Sequence, residues 1–211
     1  MLPLLRALAR AAETYVCPMH PDVKSATAGK CPRCGMTLRA EGSSEVANEG
    51  SAIQIPDVVV RDQTGRTLRF YTDLMKGKTV AIDFIFTTCT TTCPLLSANF
   101  RKVQEGLAGS EARDVQLISI SVDPLTDIPE RLQAFAAQFH AAPGWTFVTG
   151  TKQEIDRLLR ALGASVADKN DHTLRILIGN EPLQYWRRLS GLESPVKILA
   201  AIKEIAQLAY R

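Results

Sequence analysis

The sequence lacks both long hydrophobic runs and clusters of like charge. Its 211 residues carry 25 Lys and Arg against 22 Asp and Glu, so the formal net charge is only +3. No run of five or more basic residues occurs. A nucleic-acid binder or a polybasic membrane anchor would carry such a positive patch. The composition therefore predicts a protein without a nucleic-acid partner.

The amino-terminal residues 1–14 contain four leucines, but Arg6 and Arg10 interrupt them. A signal peptide has an uninterrupted apolar stretch of roughly 7–15 residues, and a membrane span has roughly 18 or more. The segment predicts a short, frayed amphipathic helix. The alternative is a chain whose export signal has been removed or whose start was assigned too far downstream. Neither an export signal nor a membrane span is visible.

Cysteine is the informative residue type in this sequence. An odd number of cysteines, gathered into two groups, is unlike a disulfide framework. Histidine and methionine side chains accompany them, and this mixture of soft ligands is typical of copper, zinc or redox sulfur chemistry. The amino-terminal group contains Cys17, Met19, His20, Cys31, Cys34 and Met36; the second contains Cys89, Cys93 and, far along the chain, His172.

The composition divides the chain into a small ligand-rich segment, a linker and one larger domain. Residues 15–39 hold the first group of cysteines, and residues 40–52 are small, polar and acidic, as in a flexible linker. The main domain follows over 53–211. A segment of about 25 residues cannot bury a sufficient core, so we expect a bound metal to stabilise the amino-terminal unit as a small knuckle.

The main domain alternates between strand and helix patterns. Continuous apolar runs rich in β-branched residues predict buried strands, and apolar residues at helical spacing predict helices between them. Such alternation is typical of an α/β sheet with helices on both faces. The predicted strands are 79–86, 115–122 and 173–178, the helices are 95–107, 128–139, 152–162 and 194–210, and a hairpin turns at 63–65.

Cys89 and Cys93 follow the predicted strand 79–86 and precede a helix. Open α/β sheets carry their reactive groups at the carboxyl ends of the strands. A spacing of four places both sulfurs on one helical face, where the positive helix terminus favours thiolates. Pro94 suits the first helical turn. The pair is predicted to be a redox couple or two ligands of one metal site, with two inert core thiols as the alternative.

Several motifs resemble the SCO/SenC family, whose members are copper proteins. The segment FTTCTTTCP, residues 86–94, resembles the family's active motif. SVDP at 121–124 and DIPE at 127–130 follow in the family's order, and WTFVTG at 145–150 resembles a family strand. His172 stands where the family has a motif histidine, directly before a predicted strand.

The resemblance implies a thioredoxin-like fold with a central mixed sheet flanked by helices. It also implies that Cys89, Cys93 and His172 hold one copper ion, with Asp171 orienting the imidazole. A lone histidine is more often a satisfied surface residue, but two thiolates and an imidazole suit three-coordinate Cu(I), or Cu(II) with one open position. His140 is interpreted as a loop residue and not a ligand.

The sequence departs from the family's motif between the two cysteines. Many members carry Cys-Pro-Asp-x-Cys-Pro, whereas residues 90–92 here are threonines. Loss of the acid removes a charge that raises thiol pKa, so thiolates are expected to form more readily.

The resemblance implies a metallochaperone that delivers copper for the dinuclear copper site of cytochrome c oxidase. The partner would be the oxidase copper-site subunit or another copper protein, met in the periplasm or at the inner membrane. A thiol–disulfide oxidoreductase that reduces a client's copper-site cysteines is the alternative. The long CxxxC ring and the lack of a Thr-Pro before a strand argue against it. The paired cysteines also argue against a peroxidase.

The amino-terminal cluster resembles the short heavy-metal-binding domain of copper-transporting P-type ATPases. The resemblance lies in YVCPMHPDV, residues 15–23, and GKCPRCGMTL, residues 29–38. Two tight turns that each offer two ligands can complete a tetrahedron. Three interpretations stay open: a closed structural zinc site, transient copper binding assisted by Met19 and Met36, or a disulfide without metal. The ligands would be Cys17, His20, Cys31 and Cys34.

Overall fold

The computed structural model describes most of the chain in two compact units, Met1–Glu45 and Val46–Arg211. The residues described are 14–17, 22–33, 35, 37–40, 53–110, 112, 114–165 and 174–208. The boundaries predicted for the frayed segment, the knuckle and the linker remain predictions.

The small unit contains a three-stranded antiparallel sheet in the order β2-β1-β3. Its strands are β1 (Tyr15–Val16), β2 (Lys24–Ser25) and β3 (Arg39–Ala40). The buried residues of its core are Cys17, Cys31 and Leu38, with Tyr15 and Val23 packed against them. So small an apolar cluster supplies little burial free energy. Stabilisation of this unit by a metal stays a prediction.

The large unit is built on a seven-stranded mixed sheet in the order β10-β9-β6-β7-β8-β4-β5. Strands β6, β7 and β8 are parallel, whereas β9 pairs antiparallel with β6 and β4 pairs antiparallel with β8. The predicted central mixed sheet is confirmed. The strands are β4 (Val59–Asp62), β5 (Thr67–Arg69), β6 (Thr79–Ile85), β7 (Gln116–Ser121), β8 (Trp145–Thr149), β9 (Arg175–Asn180) and β10 (Tyr185–Ser190).

Helices cover both faces of this sheet, as the sequence pattern predicts. One apolar core lies under α1, α2 and α4 and includes Phe100, Leu132 and Ile202. The other lies under α3 and includes Ile155 and Leu158. The helices are α1 (Thr92–Ala108), α2 (Pro129–Gln138), α3 (Lys152–Ala161) and α4 (Pro195–Gln207), and a π-helical turn, Phe70–Met75, follows β5.

Helix α1 and strand β10 both differ from the sequence prediction. Helix α1 begins at Thr92, three residues before the predicted start, because Cys93 and Pro94 form its first turn. Strand β10 was not predicted, since Arg187 and Arg188 break its apolar pattern. It is one of the two edge strands of the sheet, and Trp186 alone in it is fully buried.

The parallel strands determine the position of the cysteine turn, which is the segment 86–93 from the end of β6 into the first turn of α1. Because β6 and β7 run in the same direction, the segments that follow them lie at the same end of the sheet, the carboxyl end of these strands, where α1 and α2 begin. The turn between β9 and β10 lies at the opposite end, since β9 runs antiparallel to β6.

Candidate metal and redox centre

Cys89 lies in a tight turn between β6 and α1. Its amide donates a hydrogen bond to the Phe86 carbonyl at 3.1 Å, and the Cys93 amide donates to the Cys89 Sγ at 3.4 Å. The N-cap residue Thr91 makes no side-chain capping bond, so the Cys89 sulfur satisfies an amide that a helix start leaves unpaired. The expectation that both cysteines lie on one helical face is wrong, because Cys89 precedes the helix. The capping bond nevertheless holds it beside Cys93.

Both cysteines of the turn are thiols, and they differ in exposure and acidity. Cys89 is 9% exposed and Cys93 is fully buried. Burial raises the pKa of Cys89, but hydrogen bonds from the Cys93 amide and thiol outweigh it and lower the pKa to about 7. Burial also raises the pKa of Cys93 well above its usual value, and the neighbouring Cys89 charge adds to this. Hydrogen bonds around Cys89 thus favour its thiolate, whereas burial disfavours that of Cys93; the predicted effect of the missing acid stays a prediction.

A buried carboxylate fixes the base of the cysteine turn. Asp127, fully buried in the segment between β7 and α2, accepts hydrogen bonds from the Thr87 amide at 3.2 Å and the Thr87 hydroxyl at 2.6 Å. It also accepts from the Ser121 hydroxyl at 2.6 Å. These hydrogen bonds connect the turn that precedes Cys89 to the loop between β7 and α2. Charge-assisted hydrogen bonds of this kind are stronger than neutral ones.

A second buried carboxyl, Asp83, lies on β6. It is fully buried, and neither side-chain oxygen has a hydrogen-bond partner of ordinary geometry in the part of the chain described. It is the register partner of Ser119 on β7, whose hydroxyl accepts from the Trp145 indole at 2.9 Å. Burial raises the pKa of Asp83 to about 7, and the Ser119 hydroxyl lowers it only in part. When ionised, this carboxyl further raises the pKa of Cys93.

Sequence reasoning did not assign a role to either carboxyl. The signal for Asp83 was the single acid inside the apolar run of β6, which a buried strand does not carry without cause. Asp127 was noticed only as part of a family motif. Its hydrogen bonds to Thr87 join residues forty positions apart, and no local pattern reveals such a contact.

The predicted third ligand of the main site, His172, lies outside the described residues, as does Asp171. His140, interpreted as a loop residue, lies exposed in the turn after α2. In the described ranges, no group of three or more His, Cys, Asp or Glu side chains is placed to hold a metal ion. The main site therefore shows two of its three predicted ligands, and both are soft sulfur donors.

The amino-terminal site shows two of its four predicted ligands. Cys17 and Cys31 are 1% and 2% exposed and belong to one small buried cluster. The Cys17 amide donates to the Val23 carbonyl at 3.1 Å, and the Gly35 amide donates to the Cys31 carbonyl at 2.8 Å. The bond between Gly35 and Cys31 joins the two ends of the second predicted turn, and the first predicted turn lies mostly outside the described residues. His20 and Cys34 lie outside the described residues, and so do Met19 and Met36.

Residues 56–207 match the family model of SCO1/SenC, and they cover more than two thirds of the sequence. The chain belongs to the SCO1/SenC family. The resemblance inferred from the motifs around Cys89 and downstream is confirmed.

Individual relatives agree with the SCO1/SenC assignment. The chain is 36% identical over 101 residues to a SCO1 protein homolog of Bacillus subtilis, which is 47% of this chain and 51% of the relative. It is 30% identical over 109 residues to a putative copper-binding protein of Stutzerimonas stutzeri, 52% of each chain. The match thus spans about half the length of these curated relatives.

A solved structure confirms the thioredoxin-like SCO1/SenC fold. The crystal structure of a SCO1/SenC family lipoprotein from Bacillus anthracis is 29% identical and superposes with a TM-score of 0.65. The likeness covers 75% of this chain and 98% of that one. Within the described ranges, no helix combines the length and the apolar character needed to cross a membrane.

The amino-terminal unit of this SCO1/SenC protein is similar to a different family of domains. Residues 14–41 match the heavy metal binding domain. A stretch of 47 residues is 45% identical to a copper-transporting P-type ATPase of Rhizobium leguminosarum, covering 22% of this chain and 6% of the transporter. The predicted resemblance of this segment to the ATPase domain is confirmed.

Proposed function

We propose that this protein is a copper metallochaperone. Cys89, Cys93 and His172 hold one Cu(I) ion, and the protein delivers it for assembly of the dinuclear copper site of cytochrome c oxidase. The observation that carries the proposal is the capped cysteine turn, in which the Cys93 amide donates to the Cys89 sulfur and holds the two sulfurs near each other. Sulfur and imidazole donors prefer Cu(I) to harder ions. Membership of the SCO1/SenC family supports copper as the cargo.

The difference between the two cysteines suggests an order of ligand binding. Cys89 is the more exposed sulfur and the more acidic thiol, so it meets the incoming ion first. Cys93 then loses its proton to the metal, because a coordinated thiol is deprotonated and metal binding releases protons. Delivery reverses the order: the partner's soft ligands displace His172, Cys93 and finally Cys89 one at a time, and no free ion forms. Asp171 would orient the His172 ring during the exchange.

A thiol–disulfide oxidoreductase that reduces cysteines of a client copper site is the second candidate. The favouring observation is the pairing of an acidic Cys89 thiol with a buried Cys93 thiol, since such pairs exchange disulfides readily. Both functions use Cys89 and Cys93, but only copper delivery requires His172.

A transfer experiment with His172→Ala separates the two functions. Cu(I)-loaded protein is mixed with a reduced, copper-free soluble domain of an oxidase copper-site subunit, and copper in each protein is measured after separation. We expect the wild type to transfer copper and His172→Ala to lose most of it. His140→Ala, which changes an exposed turn histidine, should behave as the wild type. If the wild type transfers no copper, and both it and His172→Ala reduce the oxidised domain, the oxidoreductase function is the better description.

The amino-terminal cluster is proposed to bind a soft metal through Cys17, His20, Cys31 and Cys34. Copper capture, assisted by Met19 and Met36, and structural zinc both fit this donor set.

Replacing Cys31 with serine should remove about one metal equivalent per chain and unfold the small unit, whose core this residue occupies. Metal analysis of the purified full chain identifies the ion. Thr27→Ser, at an exposed position of the same unit, is the control and should keep the metal. An unchanged metal content in Cys31→Ser would contradict the site.

The proposed place of action is the periplasm or the periplasmic face of the inner membrane. The support is the family assignment and the likeness to a SCO1/SenC family lipoprotein. The proposed partner is the oxidase copper-site subunit or another copper protein of the same compartment.

A further inference from the structure

A cleft lies between the cysteine turn and helix α2. Thr87 and Thr88 line it on the side of the turn, and four residues of α2 line the other side: Arg131, Ala134, Phe135 and Gln138. Its volume of about 490 Å³ lies in the range of small-molecule sites, about 300–1,000 Å³. The neighbouring copper site does not use any of these six residues.

Of the six residues that line the cleft, one is charged, and its charge is positive; the buried carboxyl of Asp127 lies behind the lining residue Thr87. Arg131 is the only charged residue of the six, and its exposed guanidinium makes no ion pair within the described ranges. Glu130 is adjacent in sequence, but neighbouring helical residues do not face each other. The planar guanidinium is suited to bidentate binding of a carboxylate. Gln138 adds an amide, and the largely buried Phe135 adds an apolar surface.

The cleft also adjoins Cys89 along the chain. Thr88 directly precedes Cys89, so their Cα atoms are about 3.8 Å apart. Of the two cysteines, only Cys89 has exposed surface. A molecule bound between Thr88 and Arg131 therefore meets Cys89 before it can meet Cys93.

We propose that this cleft binds a small anionic thiol and its disulfide, and that it presents the ligand's sulfur to Cys89. The carboxylate of the ligand pairs with Arg131, and its methylene groups lie against Phe135 and Ala134. The bound thiol keeps Cys89 and Cys93 reduced, which is the state that holds copper. The physiological role, though not the cleft itself, rests on the proposed function.

The exchange balances without any other oxidant or reductant. In a Cys89–Cys93 disulfide, a ligand thiolate attacks the Cys89 sulfur, and Cys93 leaves as a thiolate that takes up a proton. A second ligand thiolate then attacks the ligand sulfur of the mixed disulfide and releases Cys89. Two ligand thiols are oxidised to one disulfide, one protein disulfide is reduced to two thiols, and the two thiol protons pass to the protein sulfurs.

The reverse reaction gives a direct test, because the ligand's charge can be changed without changing its sulfur chemistry. Reduced, metal-free protein is mixed at constant pH with glutathione disulfide, which carries carboxylates, or with cystamine, which carries only ammonium groups. The rate of Cys89 oxidation is followed by mass spectrometry of trapped thiols. Reversal of the Arg131 charge by Arg131→Glu should slow the reaction with glutathione disulfide about tenfold and leave or raise the rate with cystamine.

Matched variants distinguish an effect of the cleft on the rates from an effect of the overall surface charge. Arg160→Glu makes the same change at an exposed position of α3, on the other face of the sheet, and should leave both rates unchanged. Ala134→Trp fills the cleft without altering its charge and should slow glutathione disulfide more than cystamine. Equal rates in Arg131→Glu and the wild type, or equal slowing of both disulfides, would overturn the proposal. So would equal effects of Arg131→Glu and Arg160→Glu.

A parallel Cu(I) titration distinguishes this inference from the copper function. Arg131→Glu should bind copper as the wild type does, because Arg131 lies outside the ligand set. Charge-selective exchange in a protein that binds no copper at Cys89 and Cys93 would disprove the chaperone proposal and leave the cleft assignment standing. Copper binding without charge selectivity would do the opposite.

Discussion

Replacing Cys93 with serine is expected to remove one tightly bound Cu(I) ion per chain. Loss of a residue that only orients a metal ligand costs about 10–100-fold in affinity, so loss of a ligand sulfur should cost at least about a hundredfold. Cys89→Ser should do the same, and it also replaces the sulfur that accepts from the Cys93 amide with a hydroxyl oxygen. The measurement is a titration of the reduced full chain with Cu(I) against a competing chelator.

The control for this experiment is Thr90→Ser, an exposed position in the same turn that leaves both sulfurs in place. It should keep wild-type affinity and stoichiometry. The amino-terminal cluster should bind its own metal unchanged in all three variants. If Cys93→Ser retains the high-affinity ion, the buried thiol is not a ligand and the proposed site is refuted.

The second large effect concerns Asp83 and the pH dependence of stability. The pKa of this carboxyl is about 3.8 unfolded and about 7 in the folded protein, so between these values the folded state binds the extra proton. The contribution of the protonated carboxyl to the free energy of unfolding is fully present below about pH 4, and it declines as the pH rises to 7. A shift of this size corresponds to a loss of about 4 kcal/mol in the free energy of unfolding.

Urea denaturation of reduced, metal-free protein between pH 3 and 8 tests this expectation. Asp83→Asn cannot ionise, so the decline between pH 4 and 7 should disappear relative to the wild type. Asp62→Asn is a control, because Asp62 affects the pH dependence of stability in the opposite direction. Burial opposes ionisation of Asp62, but hydrogen bonds from Thr64 and Arg66 lower its pKa, so that its stabilisation is lost only in acid. A pH profile in Asp83→Asn identical to the wild type would show that the buried carboxyl does not titrate in this range.

The fold was largely predictable because its buried elements have strong local patterns. Strands β6, β7 and β9 are continuous apolar runs, and α3 and α4 have regular helical periodicity. Strand β10 was missed since an edge strand needs to bury only Trp186 and can expose arginines. Its place in the sheet depends on pairing with β9, which is tertiary information.

The candidate site was predictable in its residue types but not in its electrostatics. The spacing of Cys89 and Cys93 and their position after β6 indicate a sulfur pair at the strand ends. The unequal acidity of the two thiols depends on burial and on which sulfur accepts the Cys93 amide, and neither can be read from spacing. The Asp127 hydrogen bonds depend on the adjacent, parallel arrangement of β6 and β7.

The hydrogen bonds between Asp127 and Thr87 also connect the sulfur pair mechanically to the protein surface. Leu125 and Ile128 lie in the same loop as Asp127 and expose 75% and 49% of their surface. Because the Asp127 carboxyl also bonds Thr87, these two exposed apolar side chains and the turn that carries Cys89 are joined through one buried residue.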